Sequence, residues 1–339
     1  MGIFNWLRSN DDARTKRHQP EQATEAIDRI MALNPRLGMA QHCREHLAPA
    51  VAASLRYATA LVASLPAPHE ASARTWASDL YMRAFFAKPE ELTGRISRSE
   101  QLRAYFAQNP DSEHAYAVLG MAMTERHVLG VALEGNAVRR DVAQTTVCFG
   151  DHRVMICGRS ESELRREIVR RVIDQLALTG LAKLAKDRRD ALDKGRALLK
   201  TRLLLLQREG TGMDSVCGGG ASIAHEELVQ LQAQIEDNSQ RLGDLRVSTD
   251  ALERQLDGVC QVLMEPDRHV HLSKKKIRLD RMNVVQTKDS VQAADELEFH
   301  IAHVPTRPPQ VRAIALVRFA RAELLPGGLL LDQAMRELL

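Results

Sequence analysis

The residues best suited to metal binding are carboxylates and imidazoles in the last third of the chain: Glu296, Glu298, His300 and His303, with His269 and His271 upstream. Apolar residues alternate with the first four, at Leu297, Phe299 and Ile301, and such alternation is typical of a β-strand. His300 and His303 would then lie on opposite faces of the strand, where one ion cannot bind both. The sequence therefore predicts neither a metal site nor a bound cofactor.

The five cysteines are scattered and form no CxxC pair: Cys43, Cys148, Cys157, Cys217 and Cys260. An odd, scattered set argues against a disulfide framework and indicates a reducing compartment, so we expect a cytoplasmic protein. Cys217 lies in a Gly-rich stretch, residues 209–222, which lacks the Gly-Lys-Ser/Thr ending of a phosphate-binding loop. The linear signatures of serine hydrolases, kinases, zinc proteases and dinucleotide enzymes are also missing. We therefore expect a protein that is not an enzyme.

Two runs of apolar residues at heptad spacing predict the longest elements of the chain. The first lies within residues 161–208, with residues one heptad apart at Leu178, Ala185, Leu192, Leu199 and Leu206. The second lies within residues 223–265 and is interrupted only by Asn238 and Thr249; its members are Leu228, Leu231, Ile235, Leu242, Leu245, Leu252, Leu256, Val259 and Leu263. Such seams are typical of coiled-coil helices.

The charges of the two helices favour pairing within one molecule. Residues 161–208 carry thirteen basic and seven acidic residues, whereas residues 223–265 carry three basic and nine acidic residues. Opposite charges attract across a coiled coil, and like charges repel. The sequence therefore predicts a long antiparallel coiled-coil hairpin over residues 161–265, with its tip at residues 209–222.

Strand-like alternation flanks this hairpin on both sides. Residues 115–157 predict a meander of four short antiparallel strands, with turns at Thr124–His127, Gly135–Asn136 and Gly150–Arg153. Three further strands are predicted within residues 269–285, 296–304 and 311–319. One sheet is the simplest arrangement for all of them. We therefore expect an α+β fold with a small, mainly antiparallel sheet domain, residues 110–160 and 266–326, and the coiled-coil hairpin inserted between its strands.

Helical patterns account for most of the remaining chain. Residues 21–109 predict an N-terminal helical bundle, in which Pro49 kinks or splits the second helix and the third spans His69–Ala87. Residues 1–20 are polar after a short apolar start and predict a flexible arm. Residues 327–339 predict a C-terminal amphipathic helix.

The leading hypothesis is a non-enzymatic cytoplasmic scaffold or adaptor. It would engage another protein through the coiled-coil hairpin and its tip, with tip contacts from Met213, Val216 and Cys217. A homo-oligomer built through the apolar flanks of the hairpin is a further alternative.

Two other functions stay open. The first is contact with a membrane surface through a short apolar segment at Ile3, Phe4, Trp6 and Leu7. Basic residues follow this segment, a pattern typical of peripheral binding to the anionic inner face of a membrane. The other is sequence-independent nucleic-acid binding through Arg165, Arg166, Arg170, Arg171, Lys274, Lys275 and Lys276. The net charge of +3 does not by itself indicate a polyanionic partner.

Overall fold

The computed structural model describes residues 21–134, 137–183, 249–287, 293–305 and 309–326. The helices in these ranges are α1 (21–33), α2 (Cys43–Ala63), α3 (Leu80–Phe85), α4 (Pro89–Ser97), α5 (Glu100–Gln108), α6 (161–183) and α7 (Thr249–Met264). The strands are β1 (His69–Glu70), β2 (His114–Glu134), β3 (Ala137–Gly158), β4 (His271–Leu279), β5 (Asp295–Val304) and β6 (Gln310–Ala320). The predicted α+β class is confirmed.

The chain divides into two compact units. The first holds the residues up to Ser54 together with Ile173–Glu265, and the second holds Leu55–Val172 together with the residues from Pro266 onward. The second unit contains the sheet, whose strand order is β3-β2-β6-β5-β4, with β1 beside the end of β6. Strands from before and after residues 161–265 therefore share one sheet, as predicted. The three predicted strands of the C-terminal part appear as β4, β5 and β6.

The predicted meander of four short strands is wrong. β2 and β3 are 21 and 22 residues long, and they pair from Tyr116 opposite Gly158 to Glu134 opposite Ala137. The residues assigned to turns at 124–127 and 150–153 stay within the strands. Thr124–His127 are mostly polar but keep a regular register with Thr145–Cys148, whereas the second assigned turn coincides with an irregularity, between Gly120 opposite Arg153 and Ala122 opposite Gly150. Two further irregularities lie near Leu119 and Gly130.

One face of the sheet forms the main core with α3, α4 and α5. Phe299 of β5 lies 5.1 Å from Phe149 of β3 and 6.0 Å from both Phe85 and Tyr81 of α3, measured between ring centroids. Aromatic pairs at these separations contribute about 0.5–1.5 kcal/mol each beyond the burial of their area. The opposite face packs a smaller cluster that includes Leu164 of α6.

The predicted helical bundle over residues 21–109 is not confirmed, because α3–α5 pack on the sheet and share its core. The third predicted helix is also shorter than expected. His69 and Glu70 form a parallel strand with Val317 and Arg318, and the helix begins only at Leu80, after Asp79 accepts hydrogen bonds from the next turn. The second predicted helix is not split, because α2 continues through Pro49.

Arginine side chains in the second unit satisfy the carbonyl groups at three helix ends. Arg165 of α6 donates to the carbonyls of Val62, Leu65 and Pro66 at the end of α2. Arg103 and Arg321 do the same for α4 and α5; their acceptors include Ser97, Phe106 and Asn109. The last carbonyls of a helix have no partner within it, and guanidinium groups supply the missing donors with a favourable charge.

In the first unit, α6 and α7 are the described parts of the two predicted coiled-coil helices, and their backbones approach each other closely at Gly180. A methyl group added there would come 2.8 Å from the Cα atom of Val259 and 3.2 Å from the carbonyl oxygen of Gly258, both in α7. In the same unit, the hydroxyl of Ser54 donates to the carbonyl of Leu263 at 2.5 Å. Residues 184–248, which would form the rest of the coiled-coil hairpin, lie outside the described residues, so the hairpin stays a prediction.

We expect Gly180→Ala to lower the free energy of unfolding of the first unit by about 1–3 kcal/mol, because the backbone of α7 would have to move. Gly94→Ala in α4 is the matched control. It adds the same methyl group in a helix where a Cβ meets nothing within 4 Å, and we expect about 0.5–1 kcal/mol of stabilisation. Urea titrations followed by circular dichroism would measure both, and equal effects would contradict the close approach.

Candidate protein-interaction ribbon

The sheet curls strongly enough for β4 to meet β2, although β5 and β6 lie between them. The ammonium group of Lys275 in β4 is 2.5 Å from a carboxylate oxygen of Glu125 in β2. The segment after β4 also contacts the outer edge of β3, where the amide of Val285 donates to Thr145 and that of Val147 donates to Asn283. The middle of the β2–β3 hairpin is therefore held by contacts on both sides.

The β2–β3 hairpin extends past the rest of the sheet. β2 pairs with β6 only as far as Met121 opposite Ala313, and among the described residues no strand continues this pairing. Residues 122–134 and 137–150 thus pair with each other as a two-stranded extension, which we call the β-ribbon. Its apolar residues are exposed by 40% at Val128, 71% at Leu129 and 60% at Val131.

The hydrogen bonds of β3 show which backbone groups of β2 face outward. Because Thr145 and Val147 bond to the segment after β4, the intervening Thr146 must direct its backbone groups toward β2. Thr146 lies opposite Arg126, so Arg126 bonds to β3. Backbone groups of successive residues point to alternate sides of a strand. Glu125, His127 and Leu129 therefore direct their N–H and C=O groups to the other edge of β2, where β6 no longer pairs with it. This open edge carries exposed apolar side chains on both faces.

A cleft of about 260 Å³ lies beside the start of the open edge, where β2 and β6 separate. Its lining residues are Met123, Glu125, Lys275, Ile301, Val311 and Ala313. The apolar floor continues the inner face of the sheet, and the Lys275–Glu125 ion pair forms part of the rim. The cleft thus adds apolar surface next to the exposed backbone groups.

A second ionic cluster fixes the base of the β-ribbon on the opposite face. Arg312 of β6 reaches across β2 at Gly120, and its guanidinium donates to the Asp151 carboxylate of β3 at 2.6 Å. Arg153 donates to the same carboxylate at 2.9 Å. These hydrogen bonds, with Arg312 first, lower the pKa of Asp151 below its ordinary value. The carboxylate therefore stays charged near neutral pH and ties β3 to β6.

Most of the basic residues proposed for nucleic-acid binding are engaged by other groups of the chain. Lys274 and Lys276 both contact Glu298, whereas Lys275 points to the other face of β4 and contacts Glu125. On α6, Arg165 is committed to the carbonyls at the end of α2, and Arg171 contacts Glu167. The remaining two residues of that set are Arg166, which is exposed, and Arg170, which also contacts Glu167.

The other two predicted contact sets lie outside the described residues. One is the tip set of Met213, Val216 and Cys217, and the other is the apolar segment with Ile3, Phe4, Trp6 and Leu7. Of the described helices, none combines the length and apolar character that a bilayer crossing requires.

His300 and His303 lie on opposite faces of β5. His303 stacks on His271, with ring centroids 4.4 Å apart, whereas His300 is buried and its Nε2 atom has no hydrogen-bond partner among the described groups. Within the ranges that the structure covers, no group of three or more residues could hold a metal ion. Burial raises the pKa of Cys157 to about 12, so this thiol stays protonated.

The open edge was not recognised from the sequence. The sequence predicts residues 128–134 as one strand of the meander, because they are apolar. Apolar spacing within β2 cannot show that its pairing with β6 ends at Met121. No local pattern in the sequence marks where that pairing ends.

The chain matches no protein-family model, no curated protein and no solved structure. The fold and the β-ribbon together define an α+β protein that presents an open strand edge.

Two histidines of the second unit, the half-buried His152 and the buried His300, have lowered pKa values. Burial lowers the pKa of His152, although its hydrogen bond with the Phe85 carbonyl opposes the shift. Burial, and then the charge of Lys274, lower the pKa of His300. When these histidines are exposed by unfolding, their pKa returns to about 6.5. Below this pH the unfolded chain binds protons that the folded protein does not bind. The free energy of unfolding is therefore highest above this value and decreases as the pH falls below it.

We expect the free energy of unfolding to decrease when the pH is lowered from about 7.5 to about 5.5, a window that lies above the ordinary carboxylate range. His152→Gln keeps a donor for the Phe85 carbonyl but cannot titrate, so it should make this decrease smaller. Urea titrations at both pH values would measure the difference. An unchanged pH dependence in the variant would contradict the lowered pKa of the half-buried His152.

Proposed function

We propose that this chain is a non-enzymatic protein-binding scaffold that engages other protein chains through its protruding elements. The observation that carries the proposal is the open edge of the β-ribbon. Within the described part of the chain, Glu125, His127 and Leu129 present unpaired backbone groups there, beside the exposed side chains of Val128 and Val131.

Such an edge is a template for a further strand. Proteins usually protect exposed edges with proline, outward-facing lysines or a covering element. Residues 122–131 contain no proline and no lysine, and the carboxylate of Glu125 is engaged by Lys275. An edge without this protection suits the addition of an extended peptide backbone, which bonds to the outward N–H and C=O groups.

The chemistry of the edge favours protein over the two other partner classes. The interior of a bilayer would leave the outward backbone groups without partners, at a cost of several kcal/mol per group. A nucleic-acid backbone requires clustered positive charge. By sequence, the β-ribbon is neutral, since Arg126, Arg139 and Arg140 are balanced by Glu125, Glu134 and Asp141.

The coiled-coil hairpin supplies the second part of the proposal. Its tip, with Met213, Val216 and Cys217, would make a contact separate from that of the β-ribbon. Two spaced contacts are what a scaffold needs to hold different chains at once.

His127→Pro tests the ribbon contact, because it removes one outward N–H while leaving the backbone bonds to β3 intact; proline is tolerated at such edge positions. This variant and the control described next both lose the hydrogen bond between the imidazole and the Thr145 hydroxyl. His127→Thr is the matched control, since threonine keeps the N–H and suits a strand. Tagged versions of both variants and of the wild type would be used to capture proteins from cells that express the chain, with identification by mass spectrometry. We expect His127→Pro to lose at least one protein that His127→Thr retains.

Serine substitutions at Met213, Val216 and Cys217 test the tip in the same way. Each protein that is captured would be purified and its Kd measured against all variants. Identical captured sets and identical Kd values for the wild type, the edge variant and the tip variant would refute the scaffold function.

A further inference from the structure

We propose that the open edge of β2 pairs with the same edge of a second copy of this chain, so that the two β-ribbons form one continuous antiparallel sheet across a two-fold axis. The inference rests on the proposed function, because it names the partner of the same binding edge. The two-fold arrangement needs only one surface, which serves both copies.

The backbone of the edge is complementary to itself. In an antiparallel pair, residues that face each other either exchange two N–H···O bonds or exchange none. Glu125, His127 and Leu129 face outward, so they occupy the bonding positions of the new ladder, and Val128 between them occupies a non-bonding position. With the two-fold axis at Val128, His127 bonds to the partner's Leu129, and Leu129 bonds to the partner's His127.

The side chains also fit this register. Val128 faces the partner's Val128 across the axis, and side chains at non-bonded positions approach most closely. Leu129 lies against the partner's His127. The exposed apolar residues Val128 and Leu129 are thereby partly covered by the second copy, which removes apolar surface from water at both sides of the axis.

Charge disfavours two competing registers. Pairing centred on Glu125 or on Arg126 would place identical charges directly opposite each other, which destabilises a sheet. Centring on Val128 places Arg126 opposite the partner's Gly130, so the two Arg126 residues are four positions apart along the strand. This separation is about 13 Å, which exceeds the screening length of about 8 Å at physiological salt. Because the ribbon is neutral overall, the two copies do not repel each other.

The experiment uses the purified full-length chain. Sedimentation velocity over about 0.1–100 µM should show a weak dimer whose population rises with concentration, because two paired strands bury less area than a standard interface. We expect His127→Pro to weaken dimerisation by at least about tenfold, and His127→Thr to leave it near the wild-type value. Circular dichroism would verify that both variants remain folded.

Cross-linking tests the register. Val128→Cys places two thiols at a non-bonded pair on the axis, where the Cα atoms are about 4.5 Å apart, a distance that a disulfide spans. Oxidised glutathione accepts the two electrons and two protons as the two introduced thiols form one S–S bond. Val131→Cys is the control, because the register places it opposite the partner's Glu125, about 20 Å from its own copy. We expect a linked dimer for Val128→Cys alone, with the peptide that joins the two introduced thiols identified by mass spectrometry.

A chain that stays monomeric at every concentration would overturn the inference, as would a dimer that His127→Pro does not weaken or a link through Val131→Cys in place of Val128→Cys. If the chain is monomeric and His127→Pro still loses a captured protein, the edge binds a different chain. The proposed function then stands while this inference fails.

Discussion

The curl of the sheet is the constraint on which the second unit depends. A flat sheet in the order β3-β2-β6-β5-β4 would keep β4 far from β2, yet Lys275 and Glu125 are in contact. The curl encloses the aromatic core around Phe299 and Phe149, and α3 covers the open side with Phe85. It also brings the segment after β4 onto β3. Contacts at distant points of the sequence thus fix the direction in which the β-ribbon leaves the sheet.

The helix ends of this unit depend on a different interaction, the binding of their carbonyl groups by arginine side chains. Helices α2, α4 and α5 end in carbonyl groups that are at least partly buried, and arginines from distant positions bind them. Arg321 illustrates the arrangement: it follows β6, stacks over Phe106 at 4.6 Å and donates to carbonyls at the end of α5. A long side chain with five donors can satisfy several carbonyls at once, which water would otherwise have to reach. The sequence position of such a residue gives no sign of its acceptors.

The sequence predicted the elements whose patterns are long and regular. Regular alternation predicts β5 and the end of β4, a nearly continuous apolar run predicts β6, and a single sheet is the simplest arrangement for these strands. β2 and β3 were divided incorrectly, since the mostly polar run Thr124–His127 lies in a regular part of the ladder and the register shift near Gly120 does not end a strand. β1 has two residues, too few for any pattern, and it exists only because Val317 and Arg318 offer an edge. The open edge depends on where another strand stops, which no local pattern records.

The two edges of the hairpin differ, and this difference limits how many chains can assemble. The outer edge of β3 is occupied in its middle by Asn283 and Val285, which bond to Val147 and Thr145. A strand that is open on both sides can add copies without end and grow into a fibre. In a dimer that pairs through β2 as proposed, this contact leaves the middle of the outer edge of β3 unavailable to a further strand. The short segment after β4 would thereby oppose continued growth by edge pairing.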